Sequence, residues 1–372
     1  MLSDRTFLVV VSTPDLDSAH RIFSVMNARG LDLSPADIFK SQVIGDLADE
    51  VSEKYADKWE AAEKSLGRED FADLFLHVRM IFSKERAKRE LLKEFPGQVL
   101  DKYLPGRGQQ FVDDVVVPYA FAYEQIRDQS YASTSGADEV NAWFKRLEQL
   151  DNNDWRPPAL WALQAHRDDP AWLNNFFALL ERLAASMLIR RVYATPRAMR
   201  YAELLRELGD RDLGLSAPSF QLTVFEKSET ADLLDGQLYL AAKVRKYVLL
   251  RLDEVLARSP GVTYVHRLIT VEHVLPQNPD PQSLWVADFM EDERENWTHR
   301  LANLVLLNRA KNSEAQNYDF TKKKAKYFTG KNGVAAFALT SQVLNQQHWT
   351  PALLESRQKE LLSRLSNAWE LH

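Results

Sequence analysis

The chain contains no cysteine. That absence excludes disulfides, thiolate-bound zinc and cysteine-ligated iron–sulfur clusters, and it suits a cytoplasmic protein. Long apolar runs are missing too, with nothing near the roughly 20 residues that a membrane-spanning helix needs. The apolar stretch Thr6 to Val11 lacks the length, basic lead-in and cleavage site of a signal peptide, so it reads as a buried strand. A Gly-x-x-x-x-Gly-Lys-Ser/Thr phosphate loop is absent. So is any overall excess of positive charge: the net charge of −6 argues against coating nucleic acid through global basicity.

What is present is the balance of a soluble globular protein, 45% hydrophobic and 27% charged, spread over 372 residues, enough for two or three domains. Charge segregates locally. Residues 280–295 carry Asp280, Asp288, Glu291, Asp292, Glu293 and Glu295 against Arg294. Residues 299–330 then carry Arg300, Arg309, Lys311, Lys322, Lys323, Lys324 and Lys326 against Glu314 and Asp319, a hint of a surface that faces a polyanion.

The fold class expected from pattern is mainly α, a helical bundle scaffold with a small finger of two strands and a helix near the C-terminus. Val9 to Thr13 reads as a strand, Ala19 to Met26 as a helix and Asn27-Ala28-Arg29-Gly30 as a turn. Ser34-Pro35 with Asp37 then caps a helix through Ile38, Phe39, Val43 and Ile44. From about 46 to 257 apolar residues recur at i, i+3 and i+4, predicting helices over Phe71 to Leu92, Pro118 to Arg127, Ala171 to Val192 and Ala231 to Leu256. Breaks are expected at Pro96-Gly97, Pro105-Gly106, Ser130 to Gly136, Pro157-Pro158 and Leu213 to Ser219. Beyond Ser259-Pro260-Gly261 the texture becomes a strand over Val265 to Leu275, a polar Trp-containing loop to about 300, an apolar run Ala302 to Leu307, and a basic helix over Phe320 to Phe328.

Two segments in this last region carry chemistry. In Val271-Glu272-His273-Val274-Leu275-Pro276 a carboxylate offers a hard oxygen ligand beside an imidazole whose ordinary pKa is about 6.5. Strict alternation would send the two side chains to opposite faces, so the strand must bend or end there. In Asn303-Leu304-Val305-Leu306-Leu307-Asn308-Arg309-Ala310-Lys311-Asn312 two asparagines stand nine residues apart.

Together these segments resemble the His-Asn-His (ββα-metal) nuclease motif. The resemblance implies His273 as general base, Glu272 as a metal ligand where aspartate is usual, and Asn312 as the second ligand. It also implies that Asn303 orients the His273 ring through hydrogen bonds from its side chain to the backbone. Positions that often hold zinc-binding cysteines are Asn308 and Lys311 here, so no structural zinc is expected. A carboxylate and an amide oxygen favour Mg²⁺ or Mn²⁺. Arg300, Arg309, Lys322, Lys323, Lys324 and Lys326 would contact phosphates. His266 and His299 lie nearby in sequence, and ordinary surface or half-buried histidines explain them equally well.

More widely, the chain resembles the GmrSD-type modification-dependent restriction endonucleases. The stretches that carry this are Glu272-His273-Val274-Leu275-Pro276-Gln277, Leu301-Ala302-Asn303-Leu304, Lys311-Asn312-Ser313, Phe320-Thr321-Lys322-Lys323, Trp349-Thr350-Pro351, Arg357 and Trp369. Ile22 to Ser34, with Asp37 and Lys40, is similar to the closing part of that family's nucleotide-hydrolysing domain, although its Asp-Gly-Gln-Gln-Arg motif is missing. The resemblance implies a truncated or split member with three segments. These are a remnant over 1–48, a helical scaffold over 49–258, and a nuclease domain with C-terminal helices over 259–372. It further implies a DNA endonuclease acting on modified phage DNA, no membrane, no nucleotide cofactor in this chain, and a homodimer or a separate nucleotide-binding subunit as partner. An RNA endonuclease, or an inactive binding or scaffold subunit, remains the alternative.

Overall fold

Ser34 opens the first helix, α1 (Pro35–Gly45), as the Ser-Pro-x-Asp pattern predicts. Its hydroxyl accepts the Asp37 amide at 3.3 Å, and the Asp37 carboxylate accepts the Ser34 amide at 2.8 Å, so two amides that a helix start leaves open are satisfied. The computed structural model describes residues 34–210, 212–258, 268–308, 318–329 and 337–372. The expected strand at Val9 to Thr13, helix at Ala19 to Met26 and turn at Asn27 to Gly30 lie outside them, as do His266, Arg309 and Asn312.

After α1 come α2 (Asp49–Leu66), α3 (Arg68–Ser83), α4 (Leu91–Gln98), α5 (Gly108–Phe111) and α6 (Val117–Asp128). The helix expected over Phe71 to Leu92 stops at Ser83, where Lys84 takes a φ of 53°. Pro96, expected to mark a break, instead lies inside α4, which ends two residues later. By its contacts the chain divides into two compact units, the first comprising Met1–Ser83 and Ala87–Phe121. The core of this unit is aromatic: Phe39 stacks on Phe95 at 4.4 Å and Trp59 on Phe75 at 5.5 Å, all four fully buried. Gly108 is needed where α5 approaches α1, because a Cβ there would stand 2.9 Å from the Val43 carbonyl oxygen.

The second unit is Lys84–Arg86 with Ala122–His372. Its helices are α7 (Ala137–Leu147), α8 (Arg156–Ala165), α9 (Pro170–Ile189), α10 (Ala194–Glu207), α11 (Val224–Asp235) and α12 (Ala242–Ala257). The periodicity over Ala231 to Leu256 predicts one helix, yet the chain leaves helix at Gly236 and re-enters it at Ala242. The intervening turn carries Tyr239.

Strand β1 (Thr270–His273) then leads through α13 (Leu284–Asp288) and α14 (Glu291–Trp297), in what the sequence reads as a loop, to β2 (Leu304–Leu307). Helix α15 (Phe320–Lys323) continues as a π-helical turn, Lys324–Phe328, and α16 (Ala338–Leu344) and α17 (Pro351–Trp369) follow. The two strands are antiparallel, with Glu272 opposite Val305 and His273 opposite Leu304. They are covered on both faces: β2 is wholly buried, and so are the last three residues of β1. One apolar cluster gathers Val274, Leu275, Trp285, Phe289, Phe320, Val343 and Trp349 around them.

α1 packs on α2 and α3, and α12 packs on both strands and on α16 and α17.

Burial forces the charged residues of this unit into pairs. Glu181 on α9 accepts hydrogen bonds from Tyr247 Oη at 2.5 Å, Arg251 Nε at 3.3 Å and Trp369 Nε1 at 3.0 Å. Arg146 on α7 forks onto Glu254 with contacts of 2.6 and 3.0 Å. Removing one partner of such a buried set strands the others without solvent. Glu181→Ala should therefore lower the unfolding free energy by about 3–5 kcal/mol. Urea titration of both proteins measures this, and an unchanged midpoint with unchanged slope would refute it.

Candidate active site at the end of β1

Asn303 sits between β1 and β2, and its side chain is fully buried. A buried primary amide must find donors and acceptors, and here it takes them from the segment just past His273. Asn303 Oδ1 accepts the Leu275 amide at 2.7 Å, and Nδ2 donates to the Leu275 and Thr298 carbonyls, each at 2.9 Å. Its own carbonyl accepts the Val274 amide at 2.9 Å, and Trp349 Nε1 donates to Oδ1 at 3.2 Å. The side-chain-to-backbone bonding expected of Asn303 is thus present. It is directed at Leu275, two residues beyond His273, and at Thr298.

Glu272 and His273 are both buried and meet different neighbours. β1 ends at His273, with Glu272 paired across the sheet to Val305 and His273 to Leu304. Glu272 and Lys323 interact electrostatically, the carboxylate favouring the charged form of the lysine. His273 packs against Tyr239, with ring centroids 3.9 Å apart, and its Nε2 lies 3.3 Å from His299 Nδ1. Burial lowers the pKa of His299. The His299 ring lines a cleft of about 790 Å³ whose walls include Gln277, Asn278, Glu291, Arg294, Glu295 and Thr298.

The basic residues sort differently from the expectation. Lys323 is not a surface cation. It is fully buried, and its Nζ donates to the carbonyls of His273 at 3.1 Å and Val274 at 2.7 Å. The run Lys322-Lys323-Lys324 lies on a helix, whose 100° step sends its middle member into the core while Lys322 stays outside. Lys324 is half-buried and donates to the Gln346 carbonyl. Lys322 and Lys326 are exposed, with Lys322 Nζ 3.7 Å over the Tyr318 ring. Arg300 is half-buried, 3.6 Å from Asp235 and 5.3 Å over Trp297. Arg309 lies outside the described residues.

Metal-holding capacity divides in the same way. No group of three His, Asp or Glu side chains that could hold an ion occurs among the described residues. Glu272 offers one hard carboxylate, and its expected partner Asn312 lies outside the described residues. A carboxylate with an amide oxygen is a donor set for a hard cation.

Sequence reasoning missed three contributors. Tyr239 packs on His273 and donates its amide to the His299 carbonyl at 3.0 Å. Arg245 lies 4.3 Å over the Tyr239 ring and donates to its carbonyl at 2.6 Å. Gln358 accepts the Ala302 amide at 2.8 Å while Arg357 Nε donates to the Ala302 carbonyl at 3.1 Å, so α17 grips both sides of the residue before Asn303. The Ala241-Ala242 helix start gives no polar cue that could have flagged the preceding turn.

Residues 226–364 match the family of GmrSD restriction endonucleases, C-terminal domain. This part of the chain is similar to the C-terminal domain of those enzymes. Its limits enclose most of α11, the Tyr239 turn, both strands and most of α17. Neither the curated proteins nor the solved structures compared with the chain include a match. Among the described residues no helix is long and apolar enough to cross a membrane.

Burial drives the Lys323 pKa down from 10.5 to about 7, with Glu272 opposing the fall. The unfolded chain therefore binds more protons than the folded one between these values, and stability must rise with pH across that window. Comparing wild type with Lys323→Met in urea between about pH 7 and about pH 10 isolates this contribution. Wild type should gain on the variant as pH rises. A constant difference would show that burial does not depress this lysine.

Proposed function

We propose that this chain is an endonuclease that hydrolyses DNA phosphodiester bonds, with His273 as general base and Mg²⁺ or Mn²⁺ held by Glu272 and Asn312, in the restriction of modified phage DNA. The family of the C-terminal domain supports a restriction nuclease. The observation that carries the finer reading is the Asn303 network, because a fully buried asparagine between the strands fixes the backbone that presents the Glu272-His273 pair. In the His-Asn-His reading these are the residues that must be held still.

His273 takes the proton from the attacking water, the general-base role open to a neutral imidazole. Asn303 keeps Leu275 and Thr298 at fixed separation, so the imidazole is presented by a rigid strand end and not by a loose loop. Lys323 screens the buried Glu272 carboxylate and holds the His273 and Val274 carbonyls. A bound hard cation would supply charge stabilisation at the phosphate and at the departing oxygen. Lys322 and Lys326, exposed on one helical segment, are placed to contact flanking phosphates without reading sequence.

In a plasmid-nicking assay with Mg²⁺, His273→Ala should lower kcat by about 10²–10⁴-fold, the share usual for a general base. Equal nicking by both proteins would remove His273 from the reaction. Structured RNA at matched salt is the control, and preferential cutting of it would redirect the substrate class.

Lys322→Ala and Lys326→Ala should each reduce the salt slope of duplex binding by about one. Asn312→Ala should weaken Mg²⁺ binding in calorimetry while leaving DNA affinity nearly unchanged.

A further inference from the structure

We propose that the connection between α3 and α4 is a second contact with duplex DNA, in which the exposed Lys88 and Arg89 side chains grip backbone phosphates from a main chain fastened by the buried Glu94. The choice of duplex DNA as the partner rests on the nuclease reading above.

The connection reads Lys84-Glu85-Arg86-Ala87-Lys88-Arg89-Glu90, four bases against two acids, and every residue from 85 to 90 is exposed. The helices that precede it are acidic: residues 34–83 carry 11 acids against six bases. A polyanion is therefore repelled by α1, α2 and α3 and attracted where the sign reverses. Of the two acids in the connection, Glu90 is already engaged by Lys93 at 3.2 Å. Among the described residues no carboxylate pairs with the Arg89 guanidinium.

A merely solvated connection needs no fastening, yet this one has a buried one. Arg79 on α3 and Glu94 on α4 are both removed from solvent, with Arg79 Nη1 donating to Glu94 Oε2 at 3.1 Å and to Gln98 Oε1 at 3.2 Å. The pair cancels its own charge inside the unit. The second carboxylate oxygen, Oε1, is turned to the connection, where it accepts the Lys88 amide at 2.9 Å and the Arg89 amide at 2.8 Å. Residues 85 to 90 bury nothing apolar, so packing does not order them and the carboxylate does. Two consecutive cations thus project from a main chain whose freedom is already spent, which lowers the ordering cost when they meet phosphates. Contacts of this kind position a duplex without reading its sequence.

The test measures binding of a short plain duplex by the full-length chain, without divalent metal, across a salt series. Lys88→Ala and Arg89→Ala should each reduce the salt slope by about one. Lys64→Ala, an exposed lysine on α2, should leave the slope unchanged. The double variant Arg79→Met with Glu94→Leu replaces the buried pair by apolar groups and keeps both surface cations. Its affinity should fall about 2–10-fold with the slope held, the cost of ordering a released loop. Unchanged slopes in both loop variants, or an equal loss in Lys64→Ala, overturn the inference whether or not the double variant folds. Wild-type affinity in a folded double variant overturns the fastening by Glu94. A chain that nicks plasmid DNA with a slope independent of Lys88 and Arg89 overturns this inference alone. Loop-dependent binding by a chain that cuts nothing overturns the nuclease reading alone.

Discussion

The C-terminal half of the second unit depends on one buried side-chain amide. Asn303 spends both ends of its carboxamide on backbone groups of Leu275 and Thr298, and on Trp349. These lie on three separate segments: the exit from β1, the end of α14 and the approach to α17. A two-stranded sheet with four residues per strand is too small to hold itself together. The amide supplies a fastening that apolar burial, being non-directional, does not. A hydrophobic residue of similar size would fill the volume and leave the Leu275 and Thr298 backbone groups in search of partners inside a core.

Two buried cations extend the same logic. Lys323 satisfies the carbonyls of His273 and Val274, and Arg357 satisfies those of Ala302 and Leu339, so each long side chain ends on backbone that the short sheet cannot pair. Desolvation lowers both groups, Lys323 to about 7 and Arg357 to about 10, and only a closely fitted acceptor set makes burial tolerable. Thr340 repeats the device for the Leu306 carbonyl at 2.6 Å. The strands are thus held from outside by side chains of α15, α16 and α17, which is why α17 belongs to the site although it carries no chemistry of its own.

Much of this was legible from residue types and some of it was not. Ser34-Pro35-x-Asp37 announces a helix start because capping is a local matter, settled within four residues. The positions of β1, β2 and α15 follow from changes in apolar period, and Asn303 stands out only in conjunction with the Glu272-His273 pair, since an asparagine before an apolar run is common in ordinary turns. The lysine run misleads, since composition reports charge and cannot report which turn of a helix faces inward; only packing against β1 turns Lys323 into a core residue. The contacts of His299 and Tyr239 with His273 stay invisible for a related reason. The two residues stand 26 and 34 positions from His273, and nothing in their local pattern encodes the stacking that joins them.

The turn between α11 and α12 ties residues before 258 to the strand pair. A boundary at 258/259, drawn where the sequence texture changes, separates the strands from Gly236 to Ala241. Yet Tyr239 covers His273, Arg245 covers Tyr239, and Asp235 accepts Gln358 Nε2 at 2.9 Å while Gln358 holds Ala302. Each of these contacts runs from α11, α12 or their connection into the residues that flank Asn303. The family match starting at residue 226 respects that dependence, for it begins two residues into α11. The strand pair and its following helix carry the chemistry of the proposed site, but the pose of the imidazole is set by a turn that precedes them in the chain. A fragment starting at residue 259 would retain Glu272, His273 and Asn303 and lose the aromatic surface against which the His273 ring is oriented.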